Sequence, residues 1–350
     1  MEYYFLDKVS WQQSQALYHA AAYLNREALF ILRPATPYVC IGCHQNARQV
    51  IDLAYTEEQG IPVFRREVGG GAVFLDGEQL FYQLVLPADH PEVPAKKTDF
   101  YRKFLDPVVQ TYRAFGVDAV YKPVNDILYQ NQKISGNGAA EINDMVILVG
   151  NFILDFDHET MSKCLRVPSE KVRDKVYKTL RENLTTIKAV TGRVPDTALI
   201  AEDLIDRVMP MLGSHLIKNQ IDETLDIKAD EIFKAMDTED WLFENDNRLP
   251  EDSVKIREDV YVLHQSYKAE GGLIQVTAVQ DGDVIRDVQL SGDFFFYPAE
   301  DLVGLEDALE DISAEYGAVL EAIREYYQQH GIETPGIQPA DFARAILPAE

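Results

Sequence analysis

Apolar positions first fall at helical spacing at Ala16, Leu17, Ala20, Ala21 and Leu24, which with Ser10 as a cap predicts a helix over residues 10–24. Apolar runs at 28–32 and 37–42 read as strands, and 53–59 as a short helix stopped by Gly60. The run 61–66 leads into three glycines and 80–86 leads out of them, so the glycines join two strands. Phe100, Phe104, Val108, Tyr112 and Phe115 mark one face of a helix over 99–115, ended by Gly116. Strand patterns follow at 117–122, 126–130, 133–135 and 145–155, with Asn131-Gln132 as a hairpin tip. Beyond Asp157 the chain turns helical and basic, and 195–212 reads as a further helix.

Residues 245–252 are polar, contain proline and read as a linker and hinge, after which strand patterning restarts at Val254. Asp281-Gly282-Asp283 is a hairpin turn, helices occupy 302–329, and a short helix lies at 340–347. The pattern divides the chain into a larger domain over 1–250 and a smaller α+β domain over 254–350. No internal repeat interrupts this.

Charge and composition narrow the function. A net charge of −25 lacks the broad basic face on which nucleic-acid affinity depends, so no polynucleotide partner is expected. The acidity also fits a saline or alkaline habitat. No run approaches the roughly 18 uninterrupted apolar residues of a membrane helix. The opening MEYYFLDKVSWQQ lacks an export pattern, so the expectation is a cytoplasmic protein with no membrane partner. Cys40 and Cys43 form a CxxC inside an apolar run with no second pair downstream, which fits packing thiols better than zinc.

The densest chemical signal is Arg65-Arg66-Glu67-Val68-Gly69-Gly70-Gly71-Ala72-Val73. Three glycines remove every Cβ from a turn, so main-chain N–H groups can converge on an anion, while Arg66 or Arg65 can grip a carboxylate or phosphate. The alternative is a glycine hairpin with solvated arginines. A second signal is KPVNDILYQNQKISGNGAA over 122–140. A hairpin there lets Asp126 approach Lys133, whose ammonium stands beside Ser135-Gly136 and suits a phosphate. By itself Lys133 also reads as a surface lysine on a turn.

Together, RREVGGGAVFLD, VNDILYQNQKISGNGAA and VGNFILDFD resemble the lipoate-protein ligases of the biotin and lipoate ligase group, over about residues 1–250. Residues 254–350, with SGDFFFYP, resemble that family's accessory domain. The resemblance implies an α+β fold with a mixed β-sheet catalytic domain, Mg-ATP and lipoate or octanoate as substrates, an acyl-adenylate intermediate, and transfer to a lysine of a lipoyl carrier domain or GcvH-like lipoate-binding protein. It makes Lys133 the catalytic lysine. Arg66, Gly69, Gly70, Gly71, Ala72, Val73, Phe74, Asn125, Asp126, Ser135 and Gly136 become ATP or acyl-AMP contacts, with Asp126 as a Mg²⁺ ligand. Leu75, Val149 and Phe152 become acyl-pocket residues, and an accessory domain that swings is implied.

This chain departs from the family pattern at Leu75 and Val149, where histidines are common, and in GEQLFYQ. These departures resemble a divergent subgroup serving carriers such as those of bacterial sulfur oxidation. The rival is an ATP-independent octanoyl or lipoyl transferase forming a cysteine thioester, with Cys164 as the cysteine to suspect. A non-catalytic scaffold is the third reading. Lys171, Arg173, Lys175, Lys178 and Arg181 form a basic cluster suited to an acidic carrier.

Overall fold

The protein is seen in a computed structural model that describes residues 1–213, 215–246 and 260–347, and the backbone alone of 255–257. It divides into two compact units. The first comprises Met1–Cys40, Val50–Arg66 and Val73–Leu242, the second Ile41–Gln49, Glu67–Ala72 and Phe243–Glu350. Two short stretches of the N-terminal part, one of them the glycine run, thus count with the second unit. Of the linker reading, residues 247–252 lie outside the described residues.

The first unit is built on a six-stranded mixed sheet in the order Asn137–Ile142, Met145–Ile153, Gln79–Pro87, Ala28–Pro34, Glu2–Val9, Ile217–Lys218. The last three strands run parallel to one another and the rest are antiparallel. Period-two alternation sets its two faces. Gln83 pairs with Val149, and the Gln83 amide donates to Ser14 O at 2.6 Å, so both residues look toward helix Trp11–Tyr23. Tyr82 pairs with Gly150 and looks the other way, where its ring meets Phe152, and Phe152 meets Tyr112 of helix Lys97–Ala114. Gly150 is required there, because a Cβ would lie 2.3 Å from Asn137 Oδ1 and from the Tyr82 hydroxyl. The α/β/α layering follows, with helix Glu223–Met236 packed on Trp11–Tyr23 and helix Thr197–Leu212 on Lys97–Ala114.

Besides short pieces such as Val73–Leu75 and Ile217–Lys218, three longer elements were absent from the sequence reading. Glu2–Val9 alternates only weakly, with Tyr4 as its one fully buried side chain. Asn137–Ile142 is written in Gly and Ala, poor strand formers, and is held by pairing with Met145–Ile153 across a turn at Asn143, φ +53°. Glu223–Met236 carries a clear signal, an Asp222 cap and buried Leu225, Ala229, Ile232 and Met236. The expected hairpin tip at Asn131-Gln132 moves back one residue: Gln130 and Asn131 both take positive φ, +48° and +69°, as a two-residue turn demands.

The second unit is a five-stranded antiparallel meander, Lys255–Arg257, Val260–Ala269, Gly272–Asp281, Val284–Gly292 and Ile312–Ser313. Helices Asp301–Ala308, Tyr316–His330 and Pro339–Ile346 cover it over a core that includes Ile274, Leu290, Phe294, Phe296, Ile323 and Phe342. The turn at Asp281-Gly282-Asp283 stands as expected, with Gly282 at φ +59°. The stretch Ile41–Gln49 is fixed by Asp246, whose carboxylate accepts from the N–H groups of Ala47 and Arg48 at 2.7 and 2.8 Å.

Asp76 closes the turn between Val73–Leu75 and Gln79–Pro87, accepting from Glu78 N at 3.0 Å. Burial raises its carboxyl from 3.8 to about 6. A raised acid binds more protons folded than unfolded, so its contribution is fully present below about pH 4 and lost as pH rises through 6. Asp76→Asn should therefore stabilise the protein by roughly 1–3 kcal/mol at pH 7 and by nothing at pH 4, measured by denaturant titration at each pH. An equal effect at both pH values would contradict the buried-carboxylate assignment.

Candidate active site

Lys133 lies on the last strand of a three-stranded hairpin sheet, Val120–Lys122, Asp126–Tyr129 and Gln132–Ser135. The register shifts between Ile127 and Leu128, placing Lys133 opposite Leu128. Its ammonium sits 2.7 Å from Asp126 Oδ1, so the hairpin does bring the pair together. Both side chains are partly open, 39% and 30% exposed, so the pair adds at most about 1 kcal/mol to stability and leaves the ammonium accessible to an anion. The Lys133 carbonyl accepts from Thr185 N at 2.8 Å, tying the strand to the following chain.

Behind Lys133 the donors point inward. Ser135 is fully buried, and its hydroxyl donates to Asn151 O at 2.6 Å. Gly136 N–H donates to Asn151 Oδ1 at 2.8 Å. Asn125 and Asn137 exchange side-chain amide bonds with each other's carbonyls, and the Tyr82 hydroxyl donates to Asn137 Oδ1. Ser135 and Gly136, expected as ligand contacts, thus use these donors to hold the Lys133 strand in place. For Ser135 the reason is physical: a fully buried hydroxyl must bond within the protein. Asn137, Asn151, Tyr82 and Gln79 were missed, although the GNGAA and VGNF segments contain two of them.

Both arginines of the pair are buried. Arg65 is 1% exposed and donates to the carbonyls of Trp241 and Leu242, while the Trp241 indole donates back to Arg65 O at 2.9 Å. It is a structural clamp. Arg66, 9% exposed, donates to Cys40 O at 3.2 Å.

Within the second unit, Gly70 alone of the three glycines takes positive φ, +92°. Its N–H donates to Phe294 O at 3.2 Å. A Cβ on Gly69 would approach that same carbonyl to 2.8 Å. Gly69 and Gly70 therefore serve close main-chain packing here, and the Gly70 N–H, one of the groups that could converge on an anion, is bonded to Phe294 O. Ala72 ends this stretch, and Val73, Phe74 and Leu75 form a strand pairing with Tyr38–Ile41.

The expected acyl-pocket residues do not converge. Val149 is half-buried on the sheet face toward Trp11–Tyr23, whereas Phe152, three residues on and 1% exposed, is core on the opposite face. Leu75 belongs to another sheet. Val149 alone keeps an open side.

Among the described residues no group of three or more His, Cys, Asp or Glu is placed to hold a metal ion. Asp126 is the carboxylate paired with Lys133, and a Mg²⁺ held there would arrive with nucleotide phosphates rather than reside in the protein. Cys164 is fully buried, and desolvation pushes its thiol up to about 12, the reverse of an activated nucleophile. In the basic helix Glu170–Asn183, Arg173 pairs with Asp52 at 3.3 Å and donates to the carbonyls of Ser162, Lys163 and Leu165. Lys171, Lys175, Lys178 and Arg181 are exposed. Among the described residues no helix is long and apolar enough to cross a membrane.

Comparison with known proteins adds the family. Residues 7–209 match the lipoyl protein ligase A/B catalytic domain, and residues 260–346 the bacterial lipoate protein ligase C-terminus. Lipoate–protein ligase 1 of Staphylococcus aureus (strain Mu50) is 26% identical over 94% of this chain and 90% of its own length. Octanoyltransferase LipM of Kyrpidia tusciae is 22% identical over 59% of this chain and 83% of its own. The bi-partite lipoate protein ligase of Thermoplasma acidophilum, described with its E2 lipoyl domain, superposes with TM-score 0.62 at 26% identity, over 73% of this chain and all of that one. A lipoate-protein ligase A bound with ATP gives 0.57 at 26%, over 69% and 99%. The catalytic-domain match alone spans more than half of the sequence, and with the C-terminal match beyond it the chain belongs to the lipoate-protein ligases, with both parts in one polypeptide.

Proposed function

We propose that this protein is an ATP-dependent ligase that activates lipoate or octanoate as acyl-AMP and transfers the acyl group to a lysine of a lipoyl carrier domain. The observation that carries the proposal is the Lys133 ammonium, fixed at its backbone and half-open at its tip. A similar solved ligase is bound with ATP, and another is described with a lipoyl domain, which supports both substrates.

In the first step a carboxylate oxygen attacks the α-phosphorus of Mg-ATP, and the bond to pyrophosphate breaks. In the second, the carrier's amine attacks the acyl carbonyl, loses a proton, and AMP leaves. Lys133 is a charge stabiliser in both steps. As negative charge gathers on the phosphate oxygens, then on the acyl oxygen, a preplaced ammonium favours the transition state over the ground state. Asp126, once its ammonium partner turned to phosphate, would be the carboxylate to hold the Mg²⁺ that accompanies ATP, which would supply charge neutralisation at the phosphates. Arg66 and the main chain of Gly71–Phe74 are assigned to the nucleotide and acyl ends. The GcvH-like carrier and a swinging accessory domain belong to the same proposal.

The LipM relative keeps a transferase in view, but that chemistry needs a reactive thiolate. Cys164 is buried with a raised pKa, which supports the ligase.

With enzyme, ATP, Mg²⁺ and lipoate or octanoate, AMP or pyrophosphate should form. Lys133→Ala should lower that rate on the order of 10²-fold or more while shifting stability by about 1 kcal/mol or less. Full activity in Lys133→Ala would overturn the assignment. Cys164→Ser should leave AMP formation within about threefold of wild type. An acyl-thioester trapped on Cys164 without ATP would establish the transferase instead. The double reversal Lys175→Glu with Lys178→Glu should raise KM for an acidic carrier and spare adenylation; unchanged carrier kinetics would remove this helix from the docking surface.

A further inference from the structure

We infer that Asn151 and Gln79 form a positioning relay that locks the main chain after the glycine run to Gly136, the residue that follows the Lys133 strand. The inference rests on the ligase proposal above and adds two residues to it. The chain of bonds is continuous. Gln79 Nε2 donates to Phe74 O at 3.0 Å, Asn151 Nδ2 donates to Gln79 Oε1 at 2.7 Å, and Asn151 Oδ1 accepts from Gly136 N at 2.8 Å. Gln79 is 1% exposed and Asn151 8%.

The direction of each bond follows from its ends. Phe74 offers a carbonyl, which can only accept, so the Gln79 amide must turn its NH₂ toward it. Its oxygen then faces Asn151, which must donate. The Asn151 oxygen is left for Gly136 N–H, which can only donate. Each residue needs both a donor and an acceptor, and a carboxylate at either place supplies acceptors alone. Buried networks of this kind tolerate little loss, because an unmet polar group has no water to turn to.

Position makes the relay matter for rate. Phe74 and Gly136 lie within the two motifs assigned to the nucleotide, and the Lys133 stem runs over Gly136: a Cβ placed on Gly136 would lie 3.7 Å from Lys133 Cε and 3.8 Å from Asn151 Oδ1. A shift of about 1 Å between reacting groups can cost on the order of 10²-fold in rate. Neither relay residue touches the reacting atoms; both act through the main chain they hold.

Asn151→Asp and Gln79→Glu keep size and shape but each removes one donor. The test measures lipoate-dependent pyrophosphate release at saturating ATP and lipoate, together with KM for each and the thermal midpoint. Both variants should lose kcat by about 10- to 100-fold with KM changed less than about threefold. Asn151→Thr, whose hydroxyl both accepts and donates, should recover most of that loss. Wild type without pyrophosphate release would sink the ligase proposal itself. Active wild type, with both carboxylate variants folded and within twofold in kcat, would overturn the relay, as would a loss that tracks melting and is not rescued by threonine.

Discussion

On the proposed function, Lys133 is a cation that acts on phosphate and must be held still without being hidden, and the organisation around it meets that constraint. The half-exposed pair with Asp126 cannot fix it alone, since such pairs are worth little in water. The rigidity comes from beneath. Ser135 is clamped to Asn151, Asn137 to Asn125 and Tyr82, and Tyr112 donates to Ile134 O at 2.6 Å. Buried, mutually satisfied amides and hydroxyls are costly to disturb, so the backbone under Lys133 is set before any ligand arrives.

The same economy explains why the sheet carries so many polar side chains in its interior. Gln79, Gln83, Asn137 and Asn151 lie on or beside three adjacent strands and are nine-tenths buried or more. Gly150, between two of these groups, gives up its own side chain so that Tyr82 can reach Asn137. By register Asn137 shares its face with Tyr82, where Tyr82, Phe152 and Tyr112 also meet, so apolar packing and polar positioning are combined there.

What the sequence made legible is the set of elements with strong local signals. The Ser10 cap and its helix, the hairpin bearing Lys133, the Asp281-Gly282-Asp283 turn and the divided α+β organisation could all be read from periodicity and turn residues. The strand Asn137–Ile142 could not, because Gly and Ala carry no strand preference and the pairing partner supplies it. Within the site, residue types pointed to chemistry but not to which groups face out. Arg65 and Arg66 are both buried and both donate to main-chain carbonyls, which two charged neighbours in a sequence do not announce. Three glycines announced a close approach, yet at Gly70 the partner is the Phe294 carbonyl of the same chain. Val149 and Phe152 were grouped by hydropathy and parted by the pleat.

The central claim is that the Lys133 ammonium leaves Asp126 for the α-phosphate. A crystal structure with a nonhydrolysable acyl-adenylate mimic tests it most directly. The account predicts Lys133 Nζ within about 3 Å of a phosphate-position oxygen and of the acyl carbonyl. An ammonium that stays on Asp126, or a mimic bound away from this hairpin, would contradict it.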